Sequence, residues 1–383
     1  MDLSLTREQE LIRASAREFC EREIAPHARE WDRSETMDRE IVAKLAEVGF
    51  LGAVLPEKHG GMALDTISYC LVMEELGRVD SSVRGIVSVN LGLVGKTIVR
   101  WGTEAQKQEW LPRLVSGEAL GCYALTEPEA GSDPASLRTR AERDGGNWLL
   151  SGSKIFITLG SWAGLALVFA RSGGEGARGI TCFLVPTNSP GFEARRIEGK
   201  LGLRAQDTAE LFLDGVRVPD SARLSGEGEG FKVAMSALDN GRISLAAGCV
   251  GICQGCLDAC VSYASERRQF GKPIGSFQLV QELIAEIGVD SEAARLLTWR
   301  AAALADAGKS HTLESSVAKY FCSEAAVRAA NAAVQVHGGY GYVDEYPVGK
   351  YLRDARVTTL YEGTSQIQKL IIGRALTGEN AFV

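Results

Sequence analysis

Four long stretches rich in Ala, Leu and Glu close the chain: Phe231–Arg268, Ser276–Ala307, Thr312–Val336 and Ser365–Leu376. Helices of that length, joined by short links, bury their apolar stripes against one another. The pattern therefore predicts an antiparallel bundle. The texture before it differs. From Gly121 to about Arg223 the runs shorten and Gly, Thr and Val increase. Arg138–Arg143 and Trp148–Gly152 flank Asp144-Gly145-Gly146-Asn147, a hairpin signal. Leu165–Ala170, Ile180–Val185, Ala194–Ile197 and Glu210–Leu213 read as further strands, which together predict a small barrel or sandwich.

The N-terminal part reads as helices again. Thr6 and Gln9 have capping-box spacing ahead of Ile12, Ala16, Phe19 and Cys20, and helical stretches follow at about 38–48, 65–78 and 104–116. A chain of 383 residues is long for one domain at roughly 150 residues each. The expected division is 1–120 helical, 121–228 β and 229–383 a C-terminal four-helix bundle. The fold class is thus mainly α with a central β-domain. Gly226-Glu227-Gly228-Glu229-Gly230 reads as a flexible link, since its two acids would repel a phosphate.

Composition narrows the function. Net charge is −7 and dispersed, which argues against nucleic acid or an anionic membrane as partner. No apolar run is expected to reach the roughly 18 residues of a membrane span. The N-terminus carries charges every few residues and shows no signal peptide, so a cytoplasmic location is expected. Nine cysteines, an odd number, fit a reducing compartment. Cys249, Cys253, Cys256 and Cys260 tempt a zinc reading. Their 4, 3, 4 spacing is instead one helical stripe, and one straight helix cannot wrap a metal tetrahedrally. No metal is expected.

Five segments could carry chemistry. Glu362, in Tyr361-Glu362-Gly363-Thr364-Ser365-Gln366, sits in a loop before a helix, with Ser365 and Gln368 at capping-box spacing. It reads as a general base in a cleft or, more plainly, as an acid at a helix N-terminus. Tyr123–Asp133 begins as a strand and breaks into a Pro/Gly turn with hydroxyls, suited to oxygen-rich ligands or to a plain turn. Arg267–Pro273 is basic and aromatic between two helices: a phosphate grip or a charged loop. Gln335–Gly341 stops a helix at glycines, which permits a ligand's close approach or simply caps the helix. Asp239 and Arg242 suit a helix salt bridge, or an Arg presenting its fork to a phosphate.

Taken in order, these segments change the reading. Tyr-Ala-Leu-Thr-Glu-Pro-Glu-Ala-Gly-Ser-Asp at 123–133, Lys-Ile-Phe-Ile-Thr at 154–158, Asp-Asn-Gly-Arg at 239–242, Arg-Arg-Gln-Phe-Gly-Lys-Pro-Ile at 267–274, Gln-Val-His-Gly-Gly-Tyr-Gly-Tyr at 335–342 and the segment 353–368 resemble the acyl-CoA dehydrogenase family. The resemblance spans essentially the whole chain and leans to the short- and medium-chain branches. It implies FAD and α,β-dehydrogenation of an acyl-CoA thioester to a trans-2-enoyl-CoA. Glu362 would take the α-proton, and flavin N5 the β-hydride. The developing enolate would be held by a flavin ribityl hydroxyl and the Glu362 backbone N–H.

The resemblance also distributes the other residues. Tyr123, Leu125, Thr126, Gly131 and Ser132 would line the flavin, with Ser132 reaching the substrate. Phe156, Ile157 and Thr158 would cover the ring, Phe156 standing where many relatives carry Trp. Arg267, Gln269, Phe270 and Gln278 would hold the pyrophosphate and adenine side. Gln335, Val336, His337, Gly338 and Gly339 would hold the same FAD from a neighbouring subunit, implying a homotetramer. Thr364, Ser365 and Gln366 would meet the pyrophosphate at a helix N-terminus. Asp239 and Arg242 would meet the CoA portion, and Gly363 the thioester. Some branches place the base just before the arginine of the 239–242 motif; Gly241 has no side chain there, which leaves Glu362. The implied electron acceptor is an electron-transferring flavoprotein. The rivals are a dehydrogenase of carrier-protein-bound acyl groups, an acyl-CoA oxidase, a nitroalkane oxidase and, from another class, a flavin- and DNA-binding stress-response relative. The net charge opposes the last, and Glu362 opposes the nitroalkane oxidase, for which Asp is expected.

Overall fold

A computed structural model describes residues 4–381. Helices α1 (Arg7–Phe19), α2 (Ala28–Ser34), α3 (Glu40–Glu47), α4 (Thr66–Val79), α5 (Ser81–Val87), α6 (Lys96–Trp101) and α7 (Glu104–Val115) form the N-terminal part. Thr6 caps α1 with the expected reciprocal box to Gln9. Between α5 and α6 the chain stays helical but widens into π-turns over Ser88–Gly95. Such widening is frequent at functional sites. This stretch, 81–101, is a helix that the periodicity reading did not single out.

Strands β1 (Gly121–Ala124), β2 (Arg140–Asp144), β3 (Asn147–Thr158), β4 (Leu165–Arg171), β5 (Ile180–Pro186), β6 (Phe192–Arg196), β7 (Thr208–Pro219) and β8 (Arg223–Leu224) build one mixed sheet. Its order is β6-β7-β3-β2-β4-β5-β8, with β1 pairing with β4 off that path. The hairpin expected at Gly145-Gly146 joins β2 to β3. β3 slips register against β7 between Lys154 and Ile157, and there Phe156 takes φ +59°. A bulge of this kind re-aims a side chain, and the Phe156 ring is left 66% exposed.

The link 225–230 is tied down rather than flexible. Glu229 accepts from the Gly226 amide at 2.9 Å, the Gly228 amide donates to Thr181 Oγ1 at 2.9 Å, and Gly230 packs on the Thr181 backbone. Of the two acids expected only to repel phosphate, Glu229 caps the turn and Glu227 pairs with Arg143.

The C-terminal part comprises α8 (Gly230–Glu266), the short hairpin β9 (Arg268–Gln269) and β10 (Lys272–Pro273), α9 (Gln278–Asp306), α10 (Thr312–His337), α11 (Val348–Thr358) and α12 (Ser365–Thr377). α8, α9 and α10 pack mutually and α12 lies on α10, which gives the bundle its core, while α4 lies along α8. Both 81–101 and α8 prove long and apolar enough to cross a membrane, contrary to the sequence expectation. In those windows 83% and 78% of residues are buried inside the protein, so their apolarity goes into packing. The four cysteines of the α8 stripe are buried and free, and burial pushes their thiols up. They fill helix–helix space as small apolar groups do. Among the described residues, no group of three or more His, Cys, Asp or Glu is placed to hold a metal ion.

Candidate active site

The site is built around the loop between α11 and α12. Glu362 has φ +55° and Gly363 φ +90°, so the chain turns through the left-handed region at two successive residues. For Glu362 that conformation is uncommon and signals a constrained position. What enforces it comes from behind. The Glu362 carbonyl accepts from Gln368 Nε2 at 3.1 Å and from Arg242 Nε at 3.5 Å. The Gly363 carbonyl accepts from Lys319 Nζ at 2.7 Å and Gln368 Nε2 at 3.1 Å. With both carbonyls gripped, the Glu362 and Gly363 N–H groups are left without an acceptor among the described residues.

The helix start corrects the expected cap. The N-cap is Thr364, whose side chain accepts from the Ile367 amide, and not Ser365. Gln368 does not return to the cap but reaches the Glu362 and Gly363 carbonyls. The reason is the double left-handed turn, which advances the cap by one residue. Ser365 is fully engaged: its amide donates to Thr359 O at 2.9 Å and its hydroxyl to Glu324 Oε1 at 2.6 Å. Gln366 is exposed beside it.

The Glu362 carboxylate is enclosed, and its Oε2 has no hydrogen-bond partner. Burial lifts the carboxyl from its ordinary 4.5 to about 7, while the charges of Arg84, Lys319 and Arg242 pull it back. A carboxyl poised there is matched to proton transfer near neutral pH. Gly241, on α8, faces it directly: a Cβ built there would lie 2.5 Å from Glu362 Oε2 and 2.7 Å from Leu93 Cδ2. Positions 241 and 362 thus converge on one volume, and only one of them has a side chain. The next residue, Arg242, donates to Asp239 Oδ1 at 2.8 Å, and Asp239 Oδ2 accepts from Thr312 Oγ1 at 2.8 Å.

The segment after β1 is set by a buried ion pair. Lys154 is fully buried and donates to Glu127 Oε1 at 2.7 Å, Phe169 O at 2.7 Å and Leu125 O at 3.2 Å. Glu127 also accepts from the Arg138 and Thr139 amides. This pins the turn so that Gly131 and Ser132 stand exposed beyond it. Tyr123 donates its hydroxyl to Ala234 O at 3.1 Å, and Leu125 is buried. The Thr126 carbonyl accepts from the Ile155 amide. Ile157 is buried beside the bulge, and Thr158 Oγ1 accepts from Gln206 Nε2 at 3.1 Å.

A second surface lies at the end of α10. Arg267, Gln269, Val336, His337, Gly338 and Gly339 line one groove of about 570 Å³. His337 stacks on Tyr263 at 4.3 Å, and its Nε2 is buried without a partner. Phe270, at φ +51° on the β9–β10 turn, is 93% exposed. Gln278 and Gln335 are exposed nearby in sequence. A Cβ at Gly338 or Gly339 would meet nothing within 4 Å, so the groove floor is open backbone. An orphaned ring nitrogen, an arginine, an unpacked aromatic and open glycine backbone together fit a dinucleotide's phosphates and base, so the residues are suited to FAD.

Sequence reasoning gave no role to Arg84, Lys319 or Tyr361, and gave Gln368 only that of a capping partner, where it grips the Glu362 and Gly363 carbonyls. Arg84 Nη2 donates to Tyr361 Oη at 2.8 Å. The available signal was a basic residue set inside a mostly apolar stretch, Arg84 in 81–95 and Lys319 in α10, which is costly unless it has a task.

Known proteins match this architecture. Residues 6–118, 122–216 and 228–377 match the acyl-CoA dehydrogenase N-terminal, middle and C-terminal domains. An acyl-CoA dehydrogenase of Bacillus subtilis is 43% identical over 98% of this chain and 100% of its own length. The structure of butyryl-CoA dehydrogenase from Megasphaera elsdenii superposes with a TM-score of 0.96 at 40% identity, covering 98% of this chain and 100% of that one. A glutaryl-CoA dehydrogenase from Mycobacterium smegmatis in complex with FADH2 gives 0.95 at 38% identity over 99% and 97%.

Proposed function

The chain belongs to the acyl-CoA dehydrogenase family, flavin-dependent oxidoreductases with FAD as cofactor, and from that premise we propose that it dehydrogenates short acyl-CoA thioesters, with Glu362 as the base. The observation that carries this is the enclosed, unpartnered Glu362 Oε2 beside two amides without acceptors. The lean to short chains rests on the likeness to butyryl-CoA dehydrogenase.

Bound FAD supplies the acceptor for the substrate's β-hydride. The protein's own part is proton transfer and oxyanion stabilisation. A thioester α-proton is too weakly acidic for a carboxylate in water, so the site works on both sides of the transfer. Burial raises the basicity of Glu362. The Glu362 N–H is the donor for the carbonyl oxygen as negative charge develops there, the Gly363 N–H lies next to it, and preorganised amides give several kcal/mol in such sites. Lys319 and Gln368 keep those amides aimed by holding the carbonyls. Gly241 leaves the volume that the carboxylate occupies. Asp239 and Arg242 face the CoA portion, and Ser132 reaches the substrate.

On the cofactor side, Tyr123, Leu125, Thr126 and Gly131 line the flavin, while Phe156, Ile157 and Thr158 cover it. Thr364, Ser365 and Gln366 stand at the pyrophosphate. Ser365 has no free donor, so Thr364 and Gln366 carry that contact. Arg267 and Gln269 share one groove with Val336 to Gly339, so both segments serve one and the same FAD, and a neighbouring subunit completes its site. Gln278 and Gln335 belong to the same set. Exposed Phe270, Tyr342, Leu279 and Val289 supply apolar surface for such an assembly, a homotetramer. The three domains divide near 120/121 and 228/229, electrons pass to an electron-transferring flavoprotein, and the protein works in the cytoplasm, where nine free thiols stay reduced.

The test is the visible spectrum of the purified protein, followed by anaerobic titration with butyryl-CoA. Bleaching of the flavin bands is the expected result. Flavin bands indifferent to butyryl-CoA would overturn the substrate reading.

A further inference from the structure

Resting on the reading above that Thr158 stands against the flavin, we infer that Gln206 is a positioning residue for the redox step. Its buried amide sets whether the Thr158 hydroxyl gives or takes a hydrogen bond, and so lets that hydroxyl follow the flavin between its two redox states. Gln206 is 3% exposed, and its Nε2 donates to Thr158 Oγ1 at 3.1 Å. Its Oε1 is buried with no partner among the described residues. A buried amide that leaves its acceptor unused is costly and calls for a reason. One hydroxyl thus touches an amide that holds both a donor and a spare acceptor.

The main chain on both sides of the pair is fixed. The Gln206 amide donates to Leu203 O at 3.1 Å, and its carbonyl accepts from Lys200 Nζ at 2.9 Å. The Leu203 amide is held by Asp354 Oδ1 of α11 at 2.6 Å. On the other side, Asp207 binds the turn after β3: its carbonyl accepts from the Leu159 amide at 3.0 Å, and its carboxylate from the Ser161 amide and hydroxyl at 2.9 and 2.6 Å. Only the amide and the hydroxyl are left to turn. Gly85 on α5 gives them the room, since a Cβ there would lie 2.7 Å from Gln206 Nε2 and 2.8 Å from its Oε1. Gly85 follows Arg84, whose guanidinium meets Tyr361 beside Glu362. The pair therefore borders the Glu362 cleft from the side of the β-domain.

The chemistry needs such a pair. While Nε2 donates to Thr158 Oγ1, the hydroxyl proton points away from Gln206 and is offered to a lone pair on the ring. An oxidised flavin has a bare nitrogen where it takes the hydride, and the reduced ring has an N–H there. Against the reduced ring Oγ1 has to accept, and its own proton needs another acceptor. A half-turn of the Gln206 amide brings Oε1 to Oγ1 and supplies it. No proton is transferred and no charge is created; the two hydrogen bonds only reverse direction. An apolar side chain at 206 would cost the oxidised state little, because an unfilled acceptor is tolerated. In the reduced state it would leave the hydroxyl proton buried and unpaired, which is dearer.

The experiment measures the flavin midpoint potential of the purified holoenzyme against reference dyes, without substrate, beside the visible spectrum, the FAD-to-protein ratio and a thermal melt. Gln206→Met keeps the length of the side chain and removes its amide. The expected result is a potential lower by about 30 mV, a tenfold shift of the two-electron equilibrium toward the oxidised form, with FAD retained. Thr158→Val should displace the potential by itself, and adding Gln206→Met to it should change nothing further. Gly85→Ala crowds the intact amide and should lower the potential in the same direction. A wild-type potential in both Gln206→Met and Gly85→Ala, with only the melt lowered, makes Gln206 a packing residue and overturns the proposal. So does an undiminished Gln206→Met shift in the Thr158→Val background. In either case a shift with Thr158→Val leaves that residue's place at the flavin intact. If Thr158→Val changes neither potential nor spectrum, that placement falls and the proposal with it.

Discussion

Gly241→Ala is the smallest change that tests how the site is assembled. The added methyl would sit 2.5 Å from Glu362 Oε2, where ordinary contact begins at 3.4 Å, so about 0.9 Å must be yielded. Leu93 Cδ2, at 2.7 Å, blocks escape on one side. The left-handed Glu362 backbone, held by Gln368 and Arg242, has little room to follow. The carboxylate must therefore move. Misplacing a reacting group by about 1 Å costs on the order of 100-fold in rate, and overpacking costs about 1–3 kcal/mol in stability. The assay is kcat/KM with butyryl-CoA and an artificial electron acceptor, beside a thermal melt and the flavin-to-protein ratio. The expected result is a rate loss of about 100-fold with flavin retained. As a companion, Glu362→Gly with Gly241→Glu should regain part of the turnover lost by Glu362→Gly alone, because the two positions share one volume. Wild-type turnover in Gly241→Ala would refute this account.

Glu362→Gln should keep FAD and lose most turnover; near-normal activity would remove Glu362 from the role of base. Because the carboxyl must be ionised to act, kcat/KM should rise with pH through about 7. For stability the sign is opposite. The folded carboxyl holds its proton to about 7 and the unfolded one only to about 4.5. This contribution to stability is complete below the lower value and is lost as pH climbs through the upper, about 3 kcal/mol in all. The melting advantage of Glu362→Gln over wild type should accordingly widen between pH 5 and 8. Lys319→Met removes both a positive charge near Glu362 and the grip on the Gly363 carbonyl. The activity limb should move to higher pH and kcat should fall; an unmoved limb would deny the coupling. Lys154→Met leaves Glu127 buried without its cation, at about 3–5 kcal/mol, and the urea midpoint should drop even though no reacting group has changed.

Much of this molecule was legible in the chain alone, wherever the signal is local. Helix and strand periods placed the bundle helices to within a few residues, because burial of one face imposes the period directly. The Thr6–Gln9 box was legible because a cap is a contact across three residues. Glu362 stood out through its Gly363 neighbour and the ordered motifs around it. What sequence could not supply was anything decided by distant elements meeting. The cap at 364 instead of 365 follows from carbonyls gripped by Lys319, Gln368 and Arg242, residues that lie on α10, α12 and α8. The link at 225–230 is ordered by Thr181, far back in β5. Apolar windows at 81–101 and in α8 could have meant a membrane until packing showed where their faces go. Most of all, one sequence offers Arg84 as a single basic residue in an apolar run. Only tertiary structure brings it to Tyr361, leaves it without a carboxylate, and sets its charge beside Glu362. Period, cap and turn are properties of neighbours along the chain, whereas charge pairing and enclosure are properties of neighbours in space.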